Sequence, residues 1–582
     1  MSRWCACLDP YDDPARQLAA LGGRTVQAAG PHALGLLDGP GRAAGPFRAG
    51  PLHAVGEVTL HNAPQLRALL GAAEVPADCP DGELLLRCYA RLGTAGLAAA
   101  EGMFALAVTE GEGPDAELVL IRDHVGARTL YHARAATAAG PVWAAATSLR
   151  ALRHWPALRT GLHLPAVRSF LTFAYLPGRE TLLRGVHEVL PGRCLRLRAD
   201  GTSVEETFWE PAEAEDERPP AAHALRLRAL LEEATARRLP ESGPAAVLLS
   251  GGVDSSLVTA LAAKLHDQGV RSYSISFGGD TPNELAYSGL VAAHCHTRHR
   301  VLTVPGAQVA ARLPETVALL DNPVGDPLTV PNLLLAEAVA ADGMDIVLNG
   351  EGGDPVFGGP KNLPMLIHEL HRDEPGTESR ALAYLDSYRK CYADLPVLLT
   401  PDVLAELADA PPPTTLVAPY LRQGAMRSLL NQLLHTNLRT KGAHHILTKV
   451  ERITAATGLE GRAPLFDRAV VDHAFRVPPR WKLHGTSEKW ILKEAVRDLL
   501  PATVVDRPKS GMRVPVQQWL DGPLRELGHD LLLGPSARAR GLFREDTLRA
   551  WLRCEGTLLP RQGGKLWLVL TLELWLRSFD VR

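Results

Sequence analysis

One stretch limits what this chain can fold into more than any other, the run from Ala245 to Leu265. Ala245–Leu249 is apolar, too short for a core helix, and bounded by Pro244 and by Ser250-Gly251-Gly252, which reads as a buried strand ending in a glycine turn. After Asp254, the residues Leu257, Val258, Leu261 and Leu265 recur at helical spacing. A strand, a tight turn and a helix start leave unpaired N–H groups and the positive end of a helix dipole at the turn. Gly251 and Gly252 let the backbone come close to a bound group, and Ser250, Ser255 and Ser256 add hydroxyls. An anion belongs there. Asp254 beside it is counterproductive unless Mg²⁺ stands between the two.

The turn is neither G-x-x-x-x-G-K-[ST] nor G-x-G-x-x-G. As it stands, Ser-Gly-Gly-Val-Asp-Ser-Ser resembles the pyrophosphate loop of the N-type ATP pyrophosphatases. That resemblance implies splitting of ATP between its α and β phosphates, with an acid activated as its adenylate. Around the turn, strands alternate with helices: Leu225–Leu239 helical, Val270–Phe277 a strand, Glu284–His294 a helix, Arg300–Val304 a strand, Val309–Leu320 a helix, Asp345–Leu348 a strand. The alternation predicts a doubly wound parallel α/β sheet with ligands at the carboxyl ends of its strands. Residues 363–445 read as a helical insertion broken at Pro411-Pro412-Pro413. The His294–His299 cluster, HCHTRH, reads as capping or solvated histidines, because no carboxylates stand near it in sequence.

At 582 residues the chain needs more than one core. Lys and Arg number 62 against 65 Asp and Glu, so no basic surface for nucleic acid is expected. No apolar run is long enough to insert in a membrane, and MSRWCACLDPYDD has no signal-peptide core. Eight cysteines without a C-x-x-C pair suit a reducing compartment, so a cytoplasmic protein is expected.

Residues 1–208 show many short strands, among them Met103–Val108, Leu118–Ile121 and Val142–Ala145, with a helix at Glu83–Leu92. The segments EGMFALAV, LVLIRDHVGARTLYH and VWAAATSLRAL resemble, in order, the glutamine amidotransferase domain of class B asparagine synthetases. The resemblance implies an α+β, Ntn-hydrolase-like αββα fold with an N-terminal cysteine nucleophile. Here residue 2 is Ser2, Cys5 and Cys7 lie inside the chain, no R-G-P-D segment stands between Gly22 and Pro51, and the family's Asn-Gly-Glu is Val55-Gly56-Glu57. A scaffold lacking that nucleophile, and with it glutaminase activity, is expected. Acidic, proline-bearing residues 209–222 read as a linker, and 223–582 as the second domain.

Strand Ile346-Val347-Leu348 runs into Asn349-Gly350-Glu351-Gly352-Gly353-Asp354, a second glycine turn carrying acids. In a doubly wound sheet it can face the first turn, so that Asp254 and Asp354 share a Mg²⁺. Further on, Glu451-Arg452, Gly458-Leu459-Glu460-Gly461-Arg462-Ala463-Pro464-Leu465-Phe466-Asp467 and Arg507-Pro508-Lys509-Ser510-Gly511 follow the pattern of the asparagine synthetase domain, a resemblance running from about Leu225 to Trp519. It implies ATP and Mg²⁺ as cofactors. Ser250, Gly251, Gly252, Asp254, Ser255 and Ser256 would hold pyrophosphate, and backbone at Leu248, Ile275 and Gly350 would frame adenine. Lys509 would stabilise the charge developing in the reaction. Glu351, with Glu451 as a partner, would accept the proton of the attacking amine.

With no ammonia generated on the protein, the amine is expected to belong to the substrate. Two branches resemble that case, the β-lactam and carbapenam synthetases and the lasso peptide cyclases. The degenerate start, the helical segment and Glu351, where the β-lactam branch is expected to carry tyrosine, favour the cyclases. There an Asp or Glu side chain of a precursor peptide is joined to its N-terminal amine, and by family analogy a leader-binding protein and a leader peptidase are partners. An asparagine synthetase using free ammonia, and a nucleotide-binding scaffold without activity, are the remaining alternatives.

Overall fold

A computed structural model describes residues 4–37, 44–71, 75–214, 216–279, 284–359, 362–371, 376–388, 390–508, 511–553, 555 and 562–581. The chain divides into two compact units. The first comprises Met1–His163, Gly178–Glu210 and Val450–Gly458; the second comprises Leu164–Pro177, Pro211–Lys449 and Leu459–Arg582. Each unit therefore borrows a segment from within the other's stretch of sequence.

The first unit is built on two six-stranded antiparallel sheets. One runs Val186–Glu188, Tyr131–Ala136, Pro141–Ala146, Trp4–Leu8, His32–Leu37, Gly23–Ala29; the other runs Ser203–Thr207, Arg193–Arg198, Glu117–Arg122, Gly102–Glu110, Leu52–Leu60, Gly45–Ala49. Alternate residues meet in a shared core: Trp4, Ala6 and Leu8 from one sheet, with Ala105, Ala107, Leu118, Leu120, Leu195 and Leu197 from the other. The period of two makes this the inner face of a sheet-on-sheet sandwich. Helix Pro14–Ala20 covers the outer face of the first sheet and Asp81–Leu92 that of the second, giving the αββα layering expected. The expected strands and the helix near Glu83 all form, within two residues of their predicted ends.

Cys5 and Cys7 fall on the opposite face of Trp4–Leu8, towards the helix layer; a Cβ on neighbouring Gly23 would stand 2.4 Å from Cys5 Sγ. Both are fully buried. Burial pushes the Cys5 thiol up to about 12 and, with Cys5 and Asp9 adding to it, Cys7 well above the ordinary thiol value.

The second unit carries a five-stranded sheet of β1 (Ala245–Leu248), β2 (Val270–Ser276), β3 (Arg298–Thr303), β4 (Ile346–Leu348) and β5 (Glu460–Arg462). The order is β3-β2-β1-β4-β5 and every pairing is parallel. Helices α1 (Val253–Leu265), α2 (Leu285–His294), α3 (Gly306–Leu319) and α4 (Thr329–Ala341) make the crossovers. The strand order reverses between β1 and β4, the switch point where open α/β sheets leave a crevice. β3 begins at Arg298, earlier than its charged residues suggested, because an edge strand carries exposed charge without cost to the core. His299 Nδ1 lies 2.8 Å from Ser272 Oγ and His294 Nε2 lies 3.1 Å from the Leu499 carbonyl, so these rings are spent on structure.

The described residues of 362–447 are mostly helical. Their core gathers Met365, Tyr384, Leu385, Tyr388, Leu421 and Leu433 around Phe173 and Tyr175, which belong to the borrowed segment 164–177. Among the described residues no helix is long and apolar enough to cross a membrane.

A thiol that stays protonated until far above neutral pH cannot act as a nucleophile. Native protein treated with iodoacetamide at pH 8 should show no alkylation of Cys5 or Cys7 by peptide mass mapping, against full modification after denaturation. Rapid native labelling of either would contradict their placement.

Candidate active site

The site forms where β1 and β4 lie side by side, with Ala246 opposite Val347 and Val247 opposite Leu348. Each strand ends in one of the two glycine turns, and packing alone explains why glycine is needed. Gly251 has φ +84°, and a Cβ there would stand 2.8 Å from Ser288 N and 2.9 Å from Tyr287 Cβ, at the start of α2. A Cβ on Gly350 would stand 2.4 Å from Ser255 N, and one on Gly353 2.3 Å from Asp254 Cγ. The second turn is thus pressed onto the first turn of α1. The crevice expected between them is a contact.

In the first turn the Ser250 N–H donates to Ser255 Oγ at 3.1 Å, the two hydroxyls lie 3.0 Å apart, and Ser255 Oγ donates to the Gly252 carbonyl at 3.2 Å. These bonds hold the turn open around the helix start, whose first N–H groups have no intrahelical acceptor. Ser256 is fully buried, and its Oγ has no hydrogen-bond partner among the described residues. Leu248, Ile275 and Gly350 lie at or just past the carboxyl ends of β1, β2 and β4, on neighbouring strands. In the second turn the Glu351 N–H donates to Asn349 Oδ1 at 3.0 Å, leaving the Glu351 side chain half-buried.

Asp254 and Asp354 do come together, and between them stands a residue the sequence reading passed over. Lys489 Nζ lies 2.5 Å from Asp254 Oδ2 and 2.5 Å from Asp354 Oδ1, with its side chain 2% exposed. Burial opposes the charge on Lys489, but the two carboxylates outweigh it and raise its pKa. Lys489 has φ +57°, a left-handed conformation costly for a residue with a Cβ. It is held there from both sides. The hairpin Leu483–His484/Ser487–Glu488 precedes it, and the rings of Trp481, His484 and Trp490 lie tilted against one another with centroids 4.9–5.5 Å apart.

The paired carboxylates suit a divalent cation. Both oxygens reach one ammonium, so they are no more than about 5 Å apart, and about 4 Å is the span that Mg²⁺ bridges at its usual bond length. A metal there needs only small side-chain rotations and displacement of the ammonium.

Lys509 and Ser510 lie outside the described residues. Arg507, two positions earlier, is anchored on the turn of α2 that backs Gly251: it forms an ion pair with Glu284, and its guanidinium lies 4.1 Å from the Tyr287 ring centroid. Glu451 folds with the first unit, where its Oε1 accepts the Thr129 N–H at 3.2 Å. That contact spans 322 residues and no sequence pattern announces it. Lys449 belongs to the second unit and donates to Asp326 Oδ2 at 2.7 Å. Burial opposes its charge, yet Asp326 and Glu351 together raise its pKa, so Glu351 has a cation in its electrostatic neighbourhood.

Comparison with known proteins accords with this geometry. Residues 226–577 match the family described as asparagine synthase, and residues 26–209 match the glutamine amidotransferase domain. A putative glutamine-hydrolysing asparagine synthetase of Mycobacterium tuberculosis is 30% identical over 488 residues, covering 78% of this chain and 73% of that protein. A glutamine-hydrolysing asparagine synthetase of Bacillus subtilis is 23% identical, covering 70% and 68%. The carboxyethyl-arginine β-lactam-synthase of Streptomyces clavuligerus is 29% identical, covering 78% and 72%.

Since Gly350 touches backbone, Gly350→Ala must push the two turns apart. The substitution is expected to cost about 1–3 kcal/mol of stability, as overpacking does, and to lower turnover at least about tenfold, a small change in reacting geometry being enough. Thermal melting and a turnover assay check this; wild-type values in both would mean that the turns do not touch.

Proposed function

The chain belongs to the asparagine synthase family, and from that premise we propose that it activates a carboxylate of its substrate as an acyl-adenylate and lets an amine of the same molecule close the amide. The reading favoured is macrolactam formation in a lasso peptide. The observation that carries the chemistry is the convergence of Asp254, Asp354 and Lys489 where the two glycine turns touch.

The steps follow from the charges. A carboxylate oxygen attacks the α-phosphorus of ATP, and the bond from that phosphorus to the α,β-bridging oxygen breaks. Ser250, Gly251, Gly252, Ser255 and Ser256 receive the departing diphosphate through hydroxyls and backbone N–H groups. Mg²⁺ bound by Asp254 and Asp354 would draw negative charge from the leaving oxygens. Lys489, drawn off the carboxylates, would hold charge on the phosphates, and Lys509 is proposed to do so as well. The amine then attacks the acyl carbon, its proton passes to Glu351, and AMP leaves.

That the amine comes from the substrate is supported by the first unit. Cys5 and Cys7 are buried thiols held protonated, and Glu57 of the altered triplet is taken up by Arg128 at 2.9 Å. A precursor peptide, with a leader-binding protein and a leader peptidase as partners, completes the lasso reading. A second reading, closure of a β-lactam, is favoured by the 29% identity to a β-lactam synthase.

Incubation with ATP and a candidate substrate should yield AMP and diphosphate together. Mass spectrometry should show a product one water lighter than the substrate: a peptide for a macrolactam, a small amino acid for a β-lactam. Asp254→Ala should lower AMP release at least about a hundredfold, by removing charge stabilisation at the leaving group, with the circular dichroism spectrum unchanged. Release of ADP, or undiminished turnover in that variant, refutes the reading.

A further inference from the structure

Lys489 sits where a metal bridging Asp254 and Asp354 would have to sit, which raises the question of what occupies the pair when no nucleotide is bound. We propose that Lys489 is the resident counter-ion of the two carboxylates and that a divalent cation enters the pair only together with a polyphosphate, which draws the ammonium away. The inference rests on the adenylation reading for the identity of the polyphosphate, and on the geometry alone for the exclusion.

Three observations support it. The ammonium lies 2.5 Å from an oxygen of each carboxylate, so a metal and the ammonium compete for the same two atoms. Two cations side by side between two anions repel each other strongly at that range. The carboxylates have little room to turn away from the ammonium. The Cα of Gly353 stands against Asp254, since a Cβ there would be 2.3 Å from Asp254 Cγ, and a Cβ on Gly359 would be 3.1 Å from Asp354 Cγ. Finally, the protein supplies too few ligands for a cation on its own. Among the described residues no group of three or more His, Cys, Asp or Glu side chains could hold a metal. Mg²⁺ demands six oxygens in near-octahedral order and is commonly held by one or two carboxylates together with substrate phosphates. A polyphosphate meets both needs at once. It brings the missing oxygens, and it offers the ammonium a more strongly charged partner.

Lys489 reaches the pair only because its backbone is held left-handed at φ +57°. Asparagine tolerates that conformation better than most residues and carries no charge, which makes Lys489→Asn the informative substitution.

The test is the free-Mn²⁺ signal in electron paramagnetic resonance, read on the full chain at sub-millimolar Mn²⁺. Wild-type protein alone should leave the signal unchanged, and should deplete it, beyond what the analogue alone does, when α,β-methylene-ATP is added. Lys489→Asn should take up one equivalent of Mn²⁺ without nucleotide, at least about tenfold more tightly than wild type, and Lys489→Arg should behave as wild type. Tight, stoichiometric Mn²⁺ binding by nucleotide-free wild type overturns the proposal, as does a folded Lys489→Asn that gains none. Should circular dichroism show Lys489→Asn unfolded, the wild-type comparison with and without the analogue decides alone. Because none of these readouts requires turnover, Mn²⁺ uptake in Lys489→Asn without AMP release in any assay would count against the adenylation reading and leave this inference standing.

Discussion

Everything in the second unit that bears on chemistry depends on one buried cluster of charge, a lysine ammonium shared by two aspartates. Two carboxylates held about 5 Å apart repel by about 3 kcal/mol at an effective dielectric near 20. No fold would keep them there for stability. The ammonium offsets the repulsion, but a buried ion group of this kind is at best neutral beside an apolar replacement of similar shape. Its three members come from different parts of the sheet domain: the start of α1, the turn after β4, and the hairpin that ends at Lys489. A cluster that costs about as much as it returns, assembled from three distant segments and set at the switch point of a parallel sheet, is explained by what it binds.

The surrounding structure makes the cluster rigid. Parallel pairing of β1 with β4 sets the two turns side by side, and the glycines at 350 and 353 remove the side chains that would keep them apart. The clustered rings of Trp481, His484 and Trp490 brace the hairpin, so the strained backbone of Lys489 is over-determined by its neighbours. On the other side, Arg507 pairs with Glu284 and lies over Tyr287, the residues on which Gly251 rests. Strand pairing, close glycine contact and aromatic packing therefore act on the same few ångströms. A change in any of them should be felt at the phosphate turn before it is felt in global stability.

Much of this could be read in the sequence, and the reason it could is locality. A strand, a glycine turn and an amphipathic helix are written in consecutive residues, so the Ser250–Ser256 turn and its counterpart at Asn349–Asp354 were legible, as was the parallel sheet that carries them. Lys489 was not, because nothing local marks it out, and only the tertiary path carries it to the aspartates. The surroundings of Glu451 were hidden for the same reason. It stands within a family-like segment of sequence, yet its partner is the Thr129 amide 322 residues away, and it folds with the first unit. The exchanged segments 164–177 and 450–458 were equally hidden, since a stretch packed with another unit carries the same apolar periodicity as one packed at home. At β3 only the start was missed, the charged residues masking the first two positions of an edge strand where exposed charge is tolerated.

The same distinction explains why the reaction class is better determined than the substrate. Splitting ATP between the α and β phosphates makes demands that are nearly independent of what is being joined: a turn of N–H groups, acids for a metal, cations at the leaving group. Those demands fall on residues whose positions follow from backbone topology. Choosing between a ring of four atoms and a macrolactam makes no such demand on the sheet. Away from the sheet, the helices of 362–447 pack around Phe173 and Tyr175. That packing is apolar, assembled from the two sides of a chain crossover, and adjustable by side-chain size without disturbing either glycine turn.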